Sequence, residues 1–217
     1  TLGYVKLNDL RYGENPHQDA SVLVDPMDSG GIVRGKRLHG IDMSYNNILD
    51  AEAAWVAVSD FHDQAVAVVK HMNSCGLAVH RHQPTAYRRA FEGDSMSAFG
   101  GIVGFNTKVT AETAEEMHGV LLDVIVAPEY DQEALNILKK RKSTRVIEVK
   151  PTRSSLETID FRTVSGGALV QRTDSICEDP STWKVVTKKS PSDDQLKDLH
   201  FAVKAMKNIK SNSIVLA

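Results

Sequence analysis

Cysteine is scarce: Cys75 and Cys177 are two of 217 residues. Two thiols so far apart form neither a disulfide framework nor a CxxC zinc pair, so a reducing, cytosolic setting is the expectation. An excess of charge of one sign is also lacking. The 26 Lys+Arg stand against 28 Asp+Glu, a net of −2, which leaves no electrostatic pole for nucleic acid or a membrane surface. No apolar run approaches the ~20 residues that span a bilayer, and no signal-peptide pattern opens the sequence. Short tandem repeats and low-complexity tracts are missing too. A zinc deaminase needs HxE followed by PCxxC, yet none of the 8 histidines sits in HxE. His80-Arg81-His82 has HxH spacing but no third ligand nearby and reads as a solvated loop; no metal site is expected. Gly30 to Arg37 matches GxxxxGK, but Arg37 stands where a Mg²⁺-binding Ser or Thr is required, so a surface turn is the better reading.

What is present is an ordinary globular composition, 41% hydrophobic and 25% charged, arranged as alternating strand-length apolar runs and helical patterns. That alternation predicts an α/β layered fold with a parallel or mostly parallel sheet. The runs 65–69, 101–105, 124–126 and 144–149 read as strands. Helices are expected over 50–61, from Pro84 through Phe91, from Thr110 to near Gly119, and from Asp131 through Leu138. Residues 150–189 read as a connecting region with a short strand at 168–171. Ser192 and Gln195 form a capping box that starts a long helix to about Lys207. Both ends read as cut, because 213–217 looks like the start of a buried strand; the sequence is expected to be a piece of a longer protein.

Three segments carry side chains or glycines that invite a functional reading. LRYGENPHQ (10–18) packs a guanidinium, an aromatic ring, a turn glycine, a proline and an imidazole into nine residues. SAFGG (97–101) places two glycines before a strand, where a ligand or another backbone can approach closely or the chain simply turns. Lys70-His71 ends the 65–69 run, and Asn73-Ser74-Cys75-Gly76 follows as a turn-forming stretch. An imidazole beside an ammonium at a strand end suits proton transfer and oxyanion stabilisation, and equally a solvated strand end.

Seven segments, in order, closely resemble the bacterial bifunctional phosphoribosylaminoimidazolecarboxamide (AICAR) formyltransferase/IMP cyclohydrolase family. They are LRYGENPHQ, LHGIDMSYNNILDAEAA, VVKHMNSCGLA, DSMSAFGGIVGFNTKV, DVIVAPEYDQEAL, RTVSGGALVQRTD and KSNSIVLA. The resemblance covers essentially the whole chain and corresponds to the first half of the formyltransferase region. It implies a three-layer α/β/α, cytidine-deaminase-like unit with the start of a second similar unit. The implied division is an arm at 1–20, a first subdomain at 21–184 and the beginning of a second at 185–217.

The resemblance also implies a reaction. AICAR takes a formyl group from the co-substrate 10-formyltetrahydrofolate, in IMP synthesis, without a metal. His71 matches the family's proton acceptor and Lys70 its transition-state-stabilising lysine. Arg11, Tyr12, Gly100, Asp123 and Asn212 match residues that hold AICAR. A cytosolic homodimer that binds neither nucleic acid nor membrane is implied, and an inactive nucleotide-binding or dimerisation fragment is the alternative. The family's KHANPCG reads here Lys70-His71-Met72-Asn73-Ser74-Cys75-Gly76, so Met72 replaces a small residue and Ser74 a proline, which loosens the loop beside His71. Ser213 replaces a common alanine.

Overall fold

The run 65–69 is at most 1% exposed at every residue, a pattern produced by a strand covered on both faces. It lies in a computed structural model that describes residues 3–151, 159–174, 179–209 and 212–217; Cys177 falls outside these. The chain divides into two compact units, residues 1–153 and 154–217.

In the first unit β1 (Val5–Leu10) and β2 (Ala20–Val24) pair antiparallel as a separate two-stranded sheet. Then follow β3 (Lys36–His39), α1 (Tyr45–Ser59), β4 (Ala65–Lys70), β5 (Asn73–Val79), α2 (Gln83–Glu92) and β6 (Gly101–Phe105). The unit continues with α3 (Ala111–Glu116), β7 (Leu122–Ala127), α4 (Gln132–Leu138) and β8 (Arg145–Glu148). Six of these strands form one sheet in the order β3-β8-β7-β6-β4-β5.

The sheet is mixed, which corrects the mostly parallel expectation. The β6–β7 and β7–β8 pairs are parallel, whereas β3–β8, β4–β5 and β4–β6 are antiparallel. Linker length explains the difference. Two residues, His71 and Met72, separate β4 from β5, and a parallel crossover needs a dozen or more. Asn73 to Gly76, expected as a turn, is therefore strand, and the turn sits two residues earlier.

Strand alternation sorts the core into two layers. Ala65, Ala67, Val69, Ile102, Val124 and Val126 pack with Ala51, Ala54 and Val58 of α1. Val66, Val68, Val103, Phe105, Ile125 and Val146 face the opposite layer, built by α2, α3 and α4. The result is the three-layer α/β/α arrangement. Two glycines set the layer spacing. A Cβ at Gly76 would lie 2.0 Å from the Ala90 carbonyl oxygen, and one at Gly104 2.6 Å from that of Ala54.

Capping chemistry decides where α1 begins. Ser44 Oγ accepts from the Asn47 amide at 3.1 Å, and Asn47 Oδ1 accepts from the Ser44 amide at 3.2 Å. This reciprocal pair starts the helix at Tyr45, one turn or more before the expected Asp50. Gly30 to Arg37 forms a 3-10 turn over Ile32–Arg34 that runs directly into a strand, β3, rather than into a helix.

In the second unit β9 (Ile159–Val164) and β10 (Gly167–Arg172) make an antiparallel hairpin, longer than the strand expected at 168–171. Helix α5 (Asp193–Met206) starts at the Ser192–Gln195 capping box, as its sequence predicts. Residues 212–217 form no strand, against expectation, and Ile214 and Leu216 are 88% and 92% exposed. A strand requires a neighbour for its N–H and C=O groups, and among the described residues no such neighbour lies beside this stretch.

Candidate functional site

The register gathers one rim of the large sheet. Val69 pairs with Ile102, Gly101 with Leu122, and Val124 with Arg145. The carboxyl end of β4 thus meets the amino ends of β6, β7 and β8. Lys70, Gly100, Asp123 and Arg145 stand along this rim, and the β4–β5 turn projects from it.

That turn is strained. His71 has φ 53° and Met72 φ 62°, the left-handed region that a two-residue type I′ hairpin needs and that Asn-Gly fills most easily. Each non-glycine residue held there costs about 1–3 kcal/mol. Two side chains clasp it. Asp50 Oδ1, from α1, accepts the Met72 N–H at 2.7 Å, and Asn73 Nδ2 donates to the His71 carbonyl at 2.9 Å. Ser74 pairs with Val69 inside β5, and Cys75 is the extra residue of a bulge opposite the Val68–Val69 step. Burial pushes the Cys75 thiol up, and the carboxylates of Asp94 and Asp50 add to this while Lys70 opposes it.

Lys70 Nζ donates to the Phe99 carbonyl at 2.5 Å. Gly100, at φ 70°, faces it: a Cβ there would sit 3.8 Å from Nζ. Gly101 takes the other role open to this pair, close backbone approach, with its Cβ position 2.9 Å from the oxygens of both Ala98 and Val69. Lys70 and Gly100 are therefore together, and His71 follows Lys70 directly at the start of the turn.

Arg11 and Tyr12 line a cleft of about 780 Å³. The LRYGENPHQ segment is a loop closed on itself, with the Gly13 amide donating to the Gln18 carbonyl at 2.7 Å and Gln18 Oε1 accepting from the Asn15 amide at 2.8 Å. The Arg11 guanidinium carbon lies 5.7 Å from the Tyr12 ring centre. Arg37, Asp42, Ser44 and Arg145 share the cleft wall. Asp42 is ion-paired with Arg37, and Arg145 Nε donates to the Asp42 carbonyl at 3.1 Å. Asp9, another wall residue, is held below the usual carboxylate value by Lys6 and Ser21. With both carboxylates engaged, the Arg11 and Arg145 guanidiniums leave the cleft suited to an anionic group such as a phosphate. Burial lowers Arg145, and the nearby Asp123 carboxylate opposes this, which links Asp123 to the cleft.

Asn212 belongs to the second unit and is exposed. Sequence reasoning missed Arg37, Asp42, Asp50 and Arg145, which adjoin the site without any motif spacing. Arg145 opening a strand was the one signal, since a charge at the start of a buried strand needs a reason. Among the described residues no group of three His, Cys, Asp or Glu side chains could hold a metal ion, and no helix is long and apolar enough to cross a membrane.

Fold and site together define an α/β protein with a basic cleft and a strained Lys-His hairpin tip at one sheet rim. The AICARFT/IMPCHase bienzyme family model matches residues 1–217, and the chain belongs to that family. It is 44% identical over 216 residues to the bifunctional purine biosynthesis protein PurH of Thermoanaerobacter sp. (strain X514), covering 100% of this chain and 42% of that protein. The Dictyostelium discoideum protein of the same name is 45% identical over 224 residues, covering 99% of this chain and 41% of that protein. That of Bacillus cereus (strain B4264) is 42% identical, covering 100% and 43%. The chain thus spans about two fifths of the length of these relatives.

Proposed function

We propose that this chain supplies a formyl-transfer centre in purine biosynthesis, moving the formyl group of 10-formyltetrahydrofolate to the 5-amino group of AICAR. The folate brings an activated formyl carbon and leaves as tetrahydrofolate. The amine lone pair is delocalised into the imidazole and carboxamide, so attack needs a base for the N–H proton and a positive group for the tetrahedral oxyanion. His71 accepts the proton as the C–N bond forms. Lys70 holds the oxyanion, which collapses as the bond to the folate nitrogen breaks and that nitrogen takes up a proton. Arg11 and Tyr12 hold the nucleotide, Arg11 through its phosphate, and Gly100, Asp123 and Asn212 complete the AICAR contacts. The reaction takes place in the cytosol, in a homodimer, with no metal.

The observation that carries this reading is the juxtaposition of Lys70, His71 and Gly100 at a strained turn on the rim that Arg145 shares with the basic cleft. In the full natural chain His71→Ala is expected to lower formyl transfer by about 10²–10⁴-fold while AICAR still binds; near-normal turnover overturns the assignment. The second reading, a nucleotide-binding or dimerisation module without turnover, draws on the two-fifths coverage of the relatives. Formyl transfer by the 217-residue chain alone refutes it.

A further inference from the structure

We propose that Asp50 is a positioning residue for His71: its carboxylate holds the His71–Met72 turn in the left-handed conformation that presents the imidazole. The inference rests on the role of His71 proposed above. Neither central residue of the turn is glycine or asparagine, so nothing intrinsic favours φ 53° and φ 62°. Packing does not hold the turn either, since His71 and Met72 are exposed. Hydrogen bonds must therefore do so. Asn73 Nδ2 grips the His71 carbonyl at 2.9 Å, but it travels with the hairpin. Asp50 is different. It projects from α1, next to Ala51 and ahead of Ala54 and Val58, three fully buried residues that fix the helix to the sheet. Its Oδ1 accepts the Met72 N–H at 2.7 Å across 22 residues of sequence, so it ties the turn to the scaffold. Without that acceptor the turn relaxes toward right-handed φ values, and the tip no longer presents the imidazole in one position.

Three variants of the full natural chain test this: Asp50→Ala, Asp50→Asn and Asp50→Ala/Met72→Gly. Asp50→Ala is expected to lower kcat by about 10–100-fold, the cost of a misplaced catalytic group, with KM for AICAR within about threefold. Asp50→Asn keeps an acceptor oxygen and recovers most of the loss. The double variant also recovers much of it, because glycine adopts positive φ without strain. A purely structural role predicts instead that Met72→Gly rescues nothing. Two kinetic results overturn the proposal: kcat of Asp50→Ala within twofold of the parent, or a folded double variant no faster than Asp50→Ala. Amide hydrogen exchange at Met72 separates this proposal from the functional one. Faster exchange by about tenfold or more in Asp50→Ala, reversed in Asp50→Asn, supports the clasp whatever the reaction is; unchanged exchange overturns it. Unaltered turnover in His71→Ala sinks the functional reading alone.

Discussion

Two hairpins in this chain are each closed by two residues, and they solve the turn in opposite ways. The β9–β10 hairpin places Gly166, at φ 81°, in the turn, with nothing within 4 Å of its missing Cβ. Its strand residues are exposed throughout, Phe161 at 52% and Val170 at 61%. The β4–β5 hairpin places His71 and Met72 at positive φ instead, while Ala65 to Val69 are buried. A hairpin without packing has little to offset strain and uses the residue that avoids it. A hairpin whose first strand lies inside a six-stranded sheet can hold two unfavourable residues, because the surroundings over-determine the turn. Strain is tolerated where the proposed chemistry needs it.

The sharpest way to break this comparison is to remove an equivalent aromatic from each region. Phe105→Ala, on β6 opposite Val66, is expected to cost about 3–5 kcal/mol, whereas Phe161→Ala on β9 costs less than about 1 kcal/mol; urea titration of both variants decides it. Glycines give the next largest contrast. Gly76→Ala drives a Cβ against the Ala90 carbonyl and should cost about 1–3 kcal/mol or more. Gly167→Ala meets nothing within 4 Å and should stay within about 0.5 kcal/mol, as calorimetry of the pair will show. The smallest effect is a reversal of sign at the two turns. Gly166→Ala forces a Cβ into positive φ and loses about 1 kcal/mol, while Met72→Gly relieves the same strain and gains up to about 1 kcal/mol. If both changes destabilise, the turn at Met72 is not strained and the contrast fails.

Much of the fold was legible because apolar periodicity is local. The runs at 65–69, 101–105 and 124–126 all lie in central strands, and the Ser192–Gln195 box starts α5 where expected. The β1–β2 hairpin was not read, since Val5, Leu7 and Leu23 are more than half exposed and leave a weak pattern. The parallel expectation failed at β5 because Asn73, Ser74 and Gly76 look like turn residues, and only pairing with β4 makes them strand. Of the candidate site, Lys70, His71, Arg11, Tyr12, Gly100, Asp123 and Asn212 were singled out through the family resemblance. Arg145 and Asp50 were not, because their relevance lies in contacts with residues far away in sequence.

By itself, then, the sequence determined the α/β class, the central strands and the Ser192–Gln195 cap of α5, all consequences of hydrophobic spacing and local hydrogen bonding. Tertiary structure alone decided that β4 turns straight back into β5, that Arg11, Arg37 and Arg145 share a cleft, and that Asp50 grips Met72. The cleft and the Asp50–Met72 contact join residues 22 to more than 100 positions apart. The energy that places them comes from burying two faces of one sheet, a property of the whole layer rather than of any segment.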